Sequence, residues 1–96
     1  MITIKEKPGR IEVEGHALYD RSGRDIVCAA VSTLAQNLIY SIEDLTEDVI
    51  KYETASGRVV IDYRNPSERT KLLIDSFFVG IKELSDSYPE YIRVIR

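Results

Sequence analysis

The stretch that decides the fold is DIVCAAVSTLAQNLIYSIEDL, from Asp25 to Leu45. Apolar residues recur in it at intervals of three and four, which predicts one long helix. They are Val27, Val31, Leu34, Leu38, Ile42 and Leu45. The first half of this helix is apolar nearly all round, which predicts that this half is buried. Asp25 is the predicted N-cap, because a carboxylate there accepts hydrogen bonds from the free amides of the first turn.

The residues before this helix alternate between apolar and polar side chains, the pattern of half-buried strands. ITIKEK and RIEVEGH follow the pattern on either side of the turn sequence KPGR. They predict a hairpin whose second strand ends at Gly15 and His16. Residues 17–24, ALYDRSGR, have no sustained period and form the predicted loop to the helix.

After the helix, DVIKYETASGRVVIDYR predicts a second hairpin that turns at ASG. Its predicted shared face carries Ile50, Tyr52, Val59, Ile61 and Tyr63. A second helix follows, with Asn65 as its N-cap and Glu68 completing a near capping box. Gly80 in the apolar stripe of this helix favours a close approach by the first helix or by a second subunit. The final residues, YIRVIR, predict a short strand.

The predicted element order is therefore ββαββαβ. It favours an α+β, two-layer fold with a mainly antiparallel sheet packed on two helices. At 96 residues, residues 1–96 are predicted to form a single domain. The longest apolar run, IVCAAV, is too short to span a bilayer, so no membrane partner is expected. The net charge of −3 argues against a nucleic-acid partner, because lysines and arginines must displace phosphate counterions.

The chain has one histidine, His16, and one cysteine, Cys28. With Asp25 as the N-cap, Cys28 is the third helical residue, where free amides and the helix dipole favour a thiolate. A cysteine and a histidine suffice for acyl transfer: His16 would hold the proton of the thiol and later donate it to the leaving amine. Amides at the helix start would stabilise the oxyanion.

The same two residues also exclude some site classes. One histidine and one cysteine are too few for an ordinary zinc site, so no metal and no cofactor are expected. One cysteine leaves no disulfide within the chain, which favours a cytoplasmic location.

Three neighbouring residues have two interpretations each. Ser32 lies one helical turn after Cys28. Its hydroxyl either bonds the sulfur or orients a water, or it bonds back to the Cys28 carbonyl. Asp25 either orients His16 or only caps the helix. Gly15 either permits a close approach that a side chain would block, or simply ends the strand.

Two rival classes of protein stay open on these residues. In a non-catalytic binding module, Cys28 is a small core residue and His16 a surface contact. Alkylation of Cys28 by iodoacetamide across a range of pH separates the two, because a catalytic thiol reacts where an inert buried one does not. A thiol redox switch would need an intermolecular disulfide, and a diamide-treated sample without covalent dimer excludes it.

The motif GHA followed by GRDIVCAAVS resembles the signature of the ribosomal-processing cysteine protease (Prp) family. The resemblance extends along the whole chain, including its ending GIKELSDSYPEYIRV. It implies that the catalytic cysteine is Cys28 and the catalytic histidine His16. The glycine, aspartate and serine of the family motif correspond to Gly15, Asp25 and Ser32.

This resemblance implies a small, dimeric, cytoplasmic endopeptidase whose peptide substrate is a ribosomal protein precursor. Such enzymes remove a short N-terminal extension from the large-subunit ribosomal protein L twenty-seven, after a paired aromatic sequence. The alternative is a non-catalytic, ribosome-associated protein-binding module.

The resemblance also implies a mobile loop, Ala17 to Arg24, that closes over the substrate. Within it, Tyr19 is either a contact for an aromatic substrate side chain or an exposed loop residue. Gly23 is either a hinge or a turn residue, with Ser22 beside it. Outside the loop, Glu12 and Glu14 either suit a basic substrate or form a solvated strand face.

Overall fold

The computed structural model describes residues 1–96 and contains five strands and two helices. They are β1 (Ile2–Lys7), β2 (Arg10–Gly15), α1 (Ile26–Leu45), β3 (Ile50–Ala55), β4 (Arg58–Tyr63), α2 (Glu68–Ser87) and β5 (Ile92–Ile95). The strands form one sheet in the order β3-β4-β2-β1-β5, antiparallel except for the pair β1 and β5. The α+β prediction, with the order ββαββαβ and a mainly antiparallel sheet, is confirmed.

One face of the sheet is buried because its apolar residues alternate in register. Ile4 lies opposite Val13 across β1 and β2, and Ile11 lies opposite Ile61 across β2 and β4. All four are buried in one core with residues of both helices. Full burial of each such side chain contributes about 1.5–3 kcal/mol. In the second hairpin Tyr52 lies opposite Ile61 and Ile50 lies opposite Tyr63, on the shared face that the sequence predicts.

Gly80 brings the two helices close together. A Cβ atom at this position would lie 3.1 Å from Cδ1 of Leu34 on α1. The side chain of Leu34 therefore occupies the space that a larger residue at position 80 would need. Of the two partners predicted for Gly80, the structure shows the first helix.

The prediction that the first half of α1 is buried all round is wrong. Val27 and Val31 are buried, but Ile26 is 55% exposed and Ala29 is exposed. In a two-layer fold nothing covers the outer side of the helices, so only one face of α1 meets the core. By length and hydropathy α1 is one helix that could cross a membrane, a test that the core helix of a folded domain also passes. Six of its residues are buried within the protein.

Helix α2 begins later than predicted. Its N-cap is Ser67, whose hydroxyl accepts a hydrogen bond from the N–H of Thr70. Asn65 has a φ of 46° and lies in the preceding turn, so it is not the cap. The reason is a tertiary contact. The carboxylate of Asp48 accepts from both the N–H and the hydroxyl of Ser67, at 2.8 and 2.9 Å, and fixes the helix start there.

The other face of the sheet carries ion pairs between neighbouring strands. Glu12 pairs with Lys7 at 2.8 Å, and Glu14 pairs with Arg58 on β4. Both glutamates are therefore compensated within the chain. Glu14 is exposed, as expected on a solvated strand face, but Glu12 is buried, with 7% of its surface exposed. Neither glutamate offers an unpaired charge to a basic substrate.

Candidate active site

A groove with a volume of about 690 Å³ opens between α1, the loop 17–24 and the turn that joins β3 to β4. His16 and Cys28, the sole imidazole and the sole thiol, both line it. The groove also contains most of the other residues predicted for the site: Gly15, Ser22, Gly23, Asp25 and Ser32. Only Tyr19 lies outside it.

Asp25 caps α1 and holds the preceding loop with the same carboxylate. Oδ1 accepts from the N–H groups of Val27 and Cys28 at 3.0 and 2.9 Å. Oδ2 accepts from those of Tyr19 and Asp20 at 2.9 and 3.3 Å. Burial acts to raise the pKa of Asp25, but the four hydrogen bonds outweigh it and hold that pKa below its usual value.

These four bonds decide between the interpretations of Asp25. No hydrogen bond joins its carboxylate to His16, so the contacts show a helix cap that also fastens the loop. They also correct a prediction about the helix start. The amides of Val27 and Cys28 are already bonded to Asp25, so these two are not free to stabilise an oxyanion.

The sulfur of Cys28 has a backbone donor that the sequence did not reveal. Cys28 is the third residue of α1, as predicted, and is half-buried at the groove. Its Sγ accepts a hydrogen bond from the N–H of Ala17 at 3.3 Å. Ala17 is only 2% exposed, so the core fixes the position of this donor. A directed N–H favours negative charge on the sulfur.

His16 follows the end of β2, and its ring is exposed in the groove. No hydrogen bond joins it to Cys28; the ring lies instead against Gly57, where a Cβ atom would come within 2.6 Å of Nε2. Gly15 has a φ of 102°, and a Cβ atom there would collide with the carbonyl oxygen of Met1. The interpretation of Gly15 as a close-approach residue is confirmed.

Ser32 lies on the groove wall, one turn beyond Cys28, and is exposed. Its hydroxyl bonds neither the sulfur nor the Cys28 carbonyl. The back-bonding predicted for a helical hydroxyl occurs instead at Thr33, which donates to the carbonyl of Ala29 at 2.8 Å. The Ser32 hydroxyl is therefore available to water or to a bound chain.

Tyr19 fixes the outer side of the loop to the body of the protein. Its ring meets those of Tyr88 and Tyr91 edge to face, with centroid distances of 5.5 and 5.2 Å. Both partners lie at the connection between α2 and β5. Aromatic pairs of this kind contribute about 0.5–1.5 kcal/mol each beyond area burial. Tyr19 is thus a packed residue, 42% exposed, rather than a side chain that points into the groove.

The tip of the loop is a turn. The N–H of Arg24 donates to the carbonyl of Arg21 at 3.0 Å and closes this turn around Ser22 and Gly23. Gly23 has a φ of 85°, and a Cβ atom there would meet nothing within 4 Å. In this structure Gly23 is a turn residue, and glycine is favoured by its backbone conformation alone.

One wall of the groove was missed by sequence reasoning. Residues 55–59 line it, although ASG predicted no more than a turn. Because Glu14 on β2 pairs with Arg58 on β4, this turn lies next to the end of β2, beside His16. No local pattern signals a pairing over such a separation. Apolar residues of both layers line the groove as well: Ile2, Val13, Val31, Ala35 and Val59.

Asp25 both caps α1 and holds the preceding loop, which leads to a prediction about stability. We expect Asp25→Ala to lower the free energy of unfolding by about 1 kcal/mol at neutral pH, the usual cost of a lost N-cap. The folded-state pKa is depressed, so the contribution of the carboxylate is present above the unfolded-chain pKa of about 3.9. It is lost as the pH falls through the lower folded-state pKa, and the two proteins should converge in acid. Denaturant unfolding at several pH values measures this.

The variant Asp25→Asn distinguishes the helix-capping role of this side chain from its contacts with the loop. Its amide oxygen still caps α1, but its NH₂ group cannot accept from the N–H groups of Tyr19 and Asp20. We expect these two amides to exchange hydrogen faster in Asp25→Asn than in the wild type. Ser67→Ala removes the other helix cap and is the matched control. Unchanged exchange at residues 19 and 20 in Asp25→Asn would contradict the described role.

Comparisons with known proteins identify a family that this sequence matches. The family model described as cysteine protease Prp matches residues 1–93. The ribosomal processing cysteine protease Prp of Mycoplasma pneumoniae is 28% identical over 93 residues, which cover 96% of this chain and 91% of that protein.

Solved structures share this fold. Staphylococcus aureus Prp with a covalently linked product peptide superposes with a TM-score of 0.90 at 24% identity, over 99% of this chain and 98% of that one. The Streptococcus mutans protein SMU.848 gives a TM-score of 0.76 at 31% identity, over 98% and 91%. The family match over residues 1–93 decides the assignment: the chain belongs to the cysteine protease Prp family and is a cysteine endopeptidase.

Proposed function

We propose that this endopeptidase removes the short N-terminal extension of the large-subunit ribosomal protein L twenty-seven, with Cys28 as the nucleophile and His16 as the general acid and base. One observation carries the proposal: the only thiol and the only imidazole of the chain line the same groove. The names of the relatives, ribosomal processing cysteine proteases, support a ribosomal substrate.

The proposed reaction proceeds through an acyl-enzyme. The sulfur of Cys28 attacks the scissile carbonyl carbon, and the resulting oxyanion collapses with cleavage of the C–N bond. His16, which took the thiol proton, donates it to the departing amine. His16 then removes a proton from water, and the hydroxide attacks the thioester. The C–S bond then breaks, the acid product leaves, and the proton that His16 took from water returns to the sulfur.

The backbone around Cys28 supports its role as the nucleophile. The thiol lies at the N-terminal end of a 20-residue helix, where the helix dipole favours an anion. The N–H of Ala17 donates to Sγ at 3.3 Å. A negative charge on the sulfur would thus meet a donor that is in place before the reaction.

His16 and Cys28 must come into proton-transfer contact when substrate binds. In this structure the ring lies on Gly57 and no hydrogen bond joins it to the sulfur. Catalytic hydrogen bonds are often long or misaligned in free enzymes and tighten in the complex. The loop between the two residues is held by Asp25 on one side and by Tyr19 on the other. Movement of that loop would therefore break these contacts.

The groove fits a substrate with large apolar side chains beside the cut. Val13, Val31 and Ala35 line it from β2 and α1, and Val59 lines it from β4. Polar groups are concentrated at the loop and at the β3–β4 turn. A paired aromatic sequence would bury its rings against the apolar lining, with its backbone along the polar rim.

We further propose that the enzyme works in the cytoplasm as a homodimer. A single cysteine leaves no disulfide within the chain, which suits a reducing compartment. The outer face of the helices exposes apolar side chains, among them Leu72 and Val79 on α2, which suit burial against a second subunit.

The proposal is tested by mixing the purified protein with its own ribosomal protein precursor and determining the new N-terminus by mass spectrometry. We expect one cut, directly after the paired aromatic residues. A precursor with alanine in place of that pair is the control, and we expect it to stay intact. Absence of any new N-terminus from the natural precursor would overturn the proposed substrate.

A further inference from the structure

The turn that joins β3 to β4 lies directly against the imidazole of His16. A Cβ atom at Gly57 would be 2.6 Å from Nε2, 3.1 Å from Cε1 and 3.2 Å from Cδ2. Real Cβ atoms do not approach other atoms as closely as the first of these distances. The ring therefore occupies space that is open only because residue 57 has no side chain.

The backbone fixes this turn relative to the end of β2. The N–H of Gly15, the residue before His16, donates to the carbonyl of Gly57 at 2.9 Å. The φ of 72° at Gly57 directs its missing side chain toward the ring. This hydrogen bond therefore holds the backbone of the turn beside the residue that precedes His16.

We propose that Gly57 is a positioning residue for His16: it sets where the imidazole lies on the groove wall and thereby its distance from the sulfur of Cys28. A side chain at residue 57 would push the ring off this wall into the groove, where the substrate chain must lie. The consequence for cleavage rests on the proposed function, whereas the consequence for the ring does not.

Gly9 provides a matched control. It lies in the β1–β2 turn with a φ of 73°. Its carbonyl accepts a hydrogen bond from the N–H of Tyr63 at 3.0 Å, just as the carbonyl of Gly57 accepts one from the N–H of Gly15. A Cβ atom at Gly9 would meet the Tyr63 carbonyl oxygen at 3.1 Å. Gly9→Ala thus introduces the same backbone strain as Gly57→Ala but does not touch the groove.

The first readout needs no substrate. His16 is the only histidine, so its Hε1 and Cε1 nuclei give one NMR signal pair. We expect Gly57→Ala to move these signals, while Gly9→Ala leaves them at their wild-type positions. Because this readout involves no cleavage, it decides the position of the ring even if the proposed ribosomal substrate is wrong.

The second readout is the kinetics of peptide cleavage. We expect Gly57→Ala to lower kcat by about 10²-fold, the effect of displacing a catalytic group by roughly 1 Å. Gly9→Ala should keep the wild-type kcat. If Gly57→Ala does not fold, Gly57→Asn replaces it, with Gly9→Asn as control, because asparagine tolerates positive φ better than alanine. A folded position-57 variant with wild-type imidazole signals, or with the wild-type kcat on a cleaved substrate, would overturn the inference.

Discussion

Cys28→Ala should reduce peptide cleavage by on the order of 10⁶-fold, the scale of loss when a protease is deprived of its nucleophile. The chain holds no second thiol that could substitute. The fold should survive, because alanine is a good helix former and Cys28 is only half-buried. The N–H of Ala17 loses its sulfur acceptor, at a cost of about 1 kcal/mol. Cleavage is followed by mass spectrometry, and folding by circular dichroism and thermal unfolding.

Cys28→Ser is the companion variant. Its hydroxyl oxygen is a replacement acceptor for the N–H of Ala17 and should preserve the local hydrogen bonding. We expect it to be more stable than Cys28→Ala and still severely impaired, because a hydroxyl is a much weaker nucleophile than a thiolate. Wild-type turnover by a folded Cys28→Ala protein would rule out the acyl-enzyme and favour a different catalytic group.

Removal of the imidazole has the second largest expected effect. We expect His16→Ala to lower kcat by about 10⁴-fold, the upper end of what a general acid and base contributes. His16 is exposed in the groove, so its loss should leave thermal stability nearly unchanged. The sulfur is held by α1 and Ala17 rather than by the ring, so iodoacetamide should still alkylate Cys28 in the variant. Steady-state kinetics across pH and the alkylation rate are the measurements.

Chemical rescue separates a proton-transfer role from a structural one. The space left by His16→Ala opens to solvent, and free imidazole added at high concentration should restore part of the cleavage. His16→Gln fills much of that space, so added imidazole should restore little. Full activity of either variant without added imidazole would contradict the assigned role of His16.

Most of the fold could be predicted because periodicity is a local property. The alternation of Ile2 and Ile4, and the helical spacing that includes Val27 and Val31, identify elements without knowledge of their neighbours. The cap at Asp25 was predicted correctly because the two helix amides that it accepts from, those of Val27 and Cys28, lie within three residues of it. Asn65 was assigned wrongly as a cap because the true start of α2 depends on Asp48, which is distant in sequence from Ser67.

The site also has a part that the sequence predicts and a part that it does not. His16 and Cys28 could be chosen from the sequence because each is the only residue of its kind and they flank one loop. The residues that surround them could not be identified from the sequence. Tyr19 packs on Tyr88 and Tyr91, contacts made across the chain after the core has formed.

The amino-acid sequence by itself determined which segments form helices and strands, and which two side chains are available for acyl transfer, because residue type and spacing express both. Only the tertiary structure decided that the turn at Gly57 borders the imidazole and that the N–H of Ala17 meets the sulfur. The physical reason is that strand pairing over long separations is selected by burial of the whole sheet, and no short stretch of sequence carries that information.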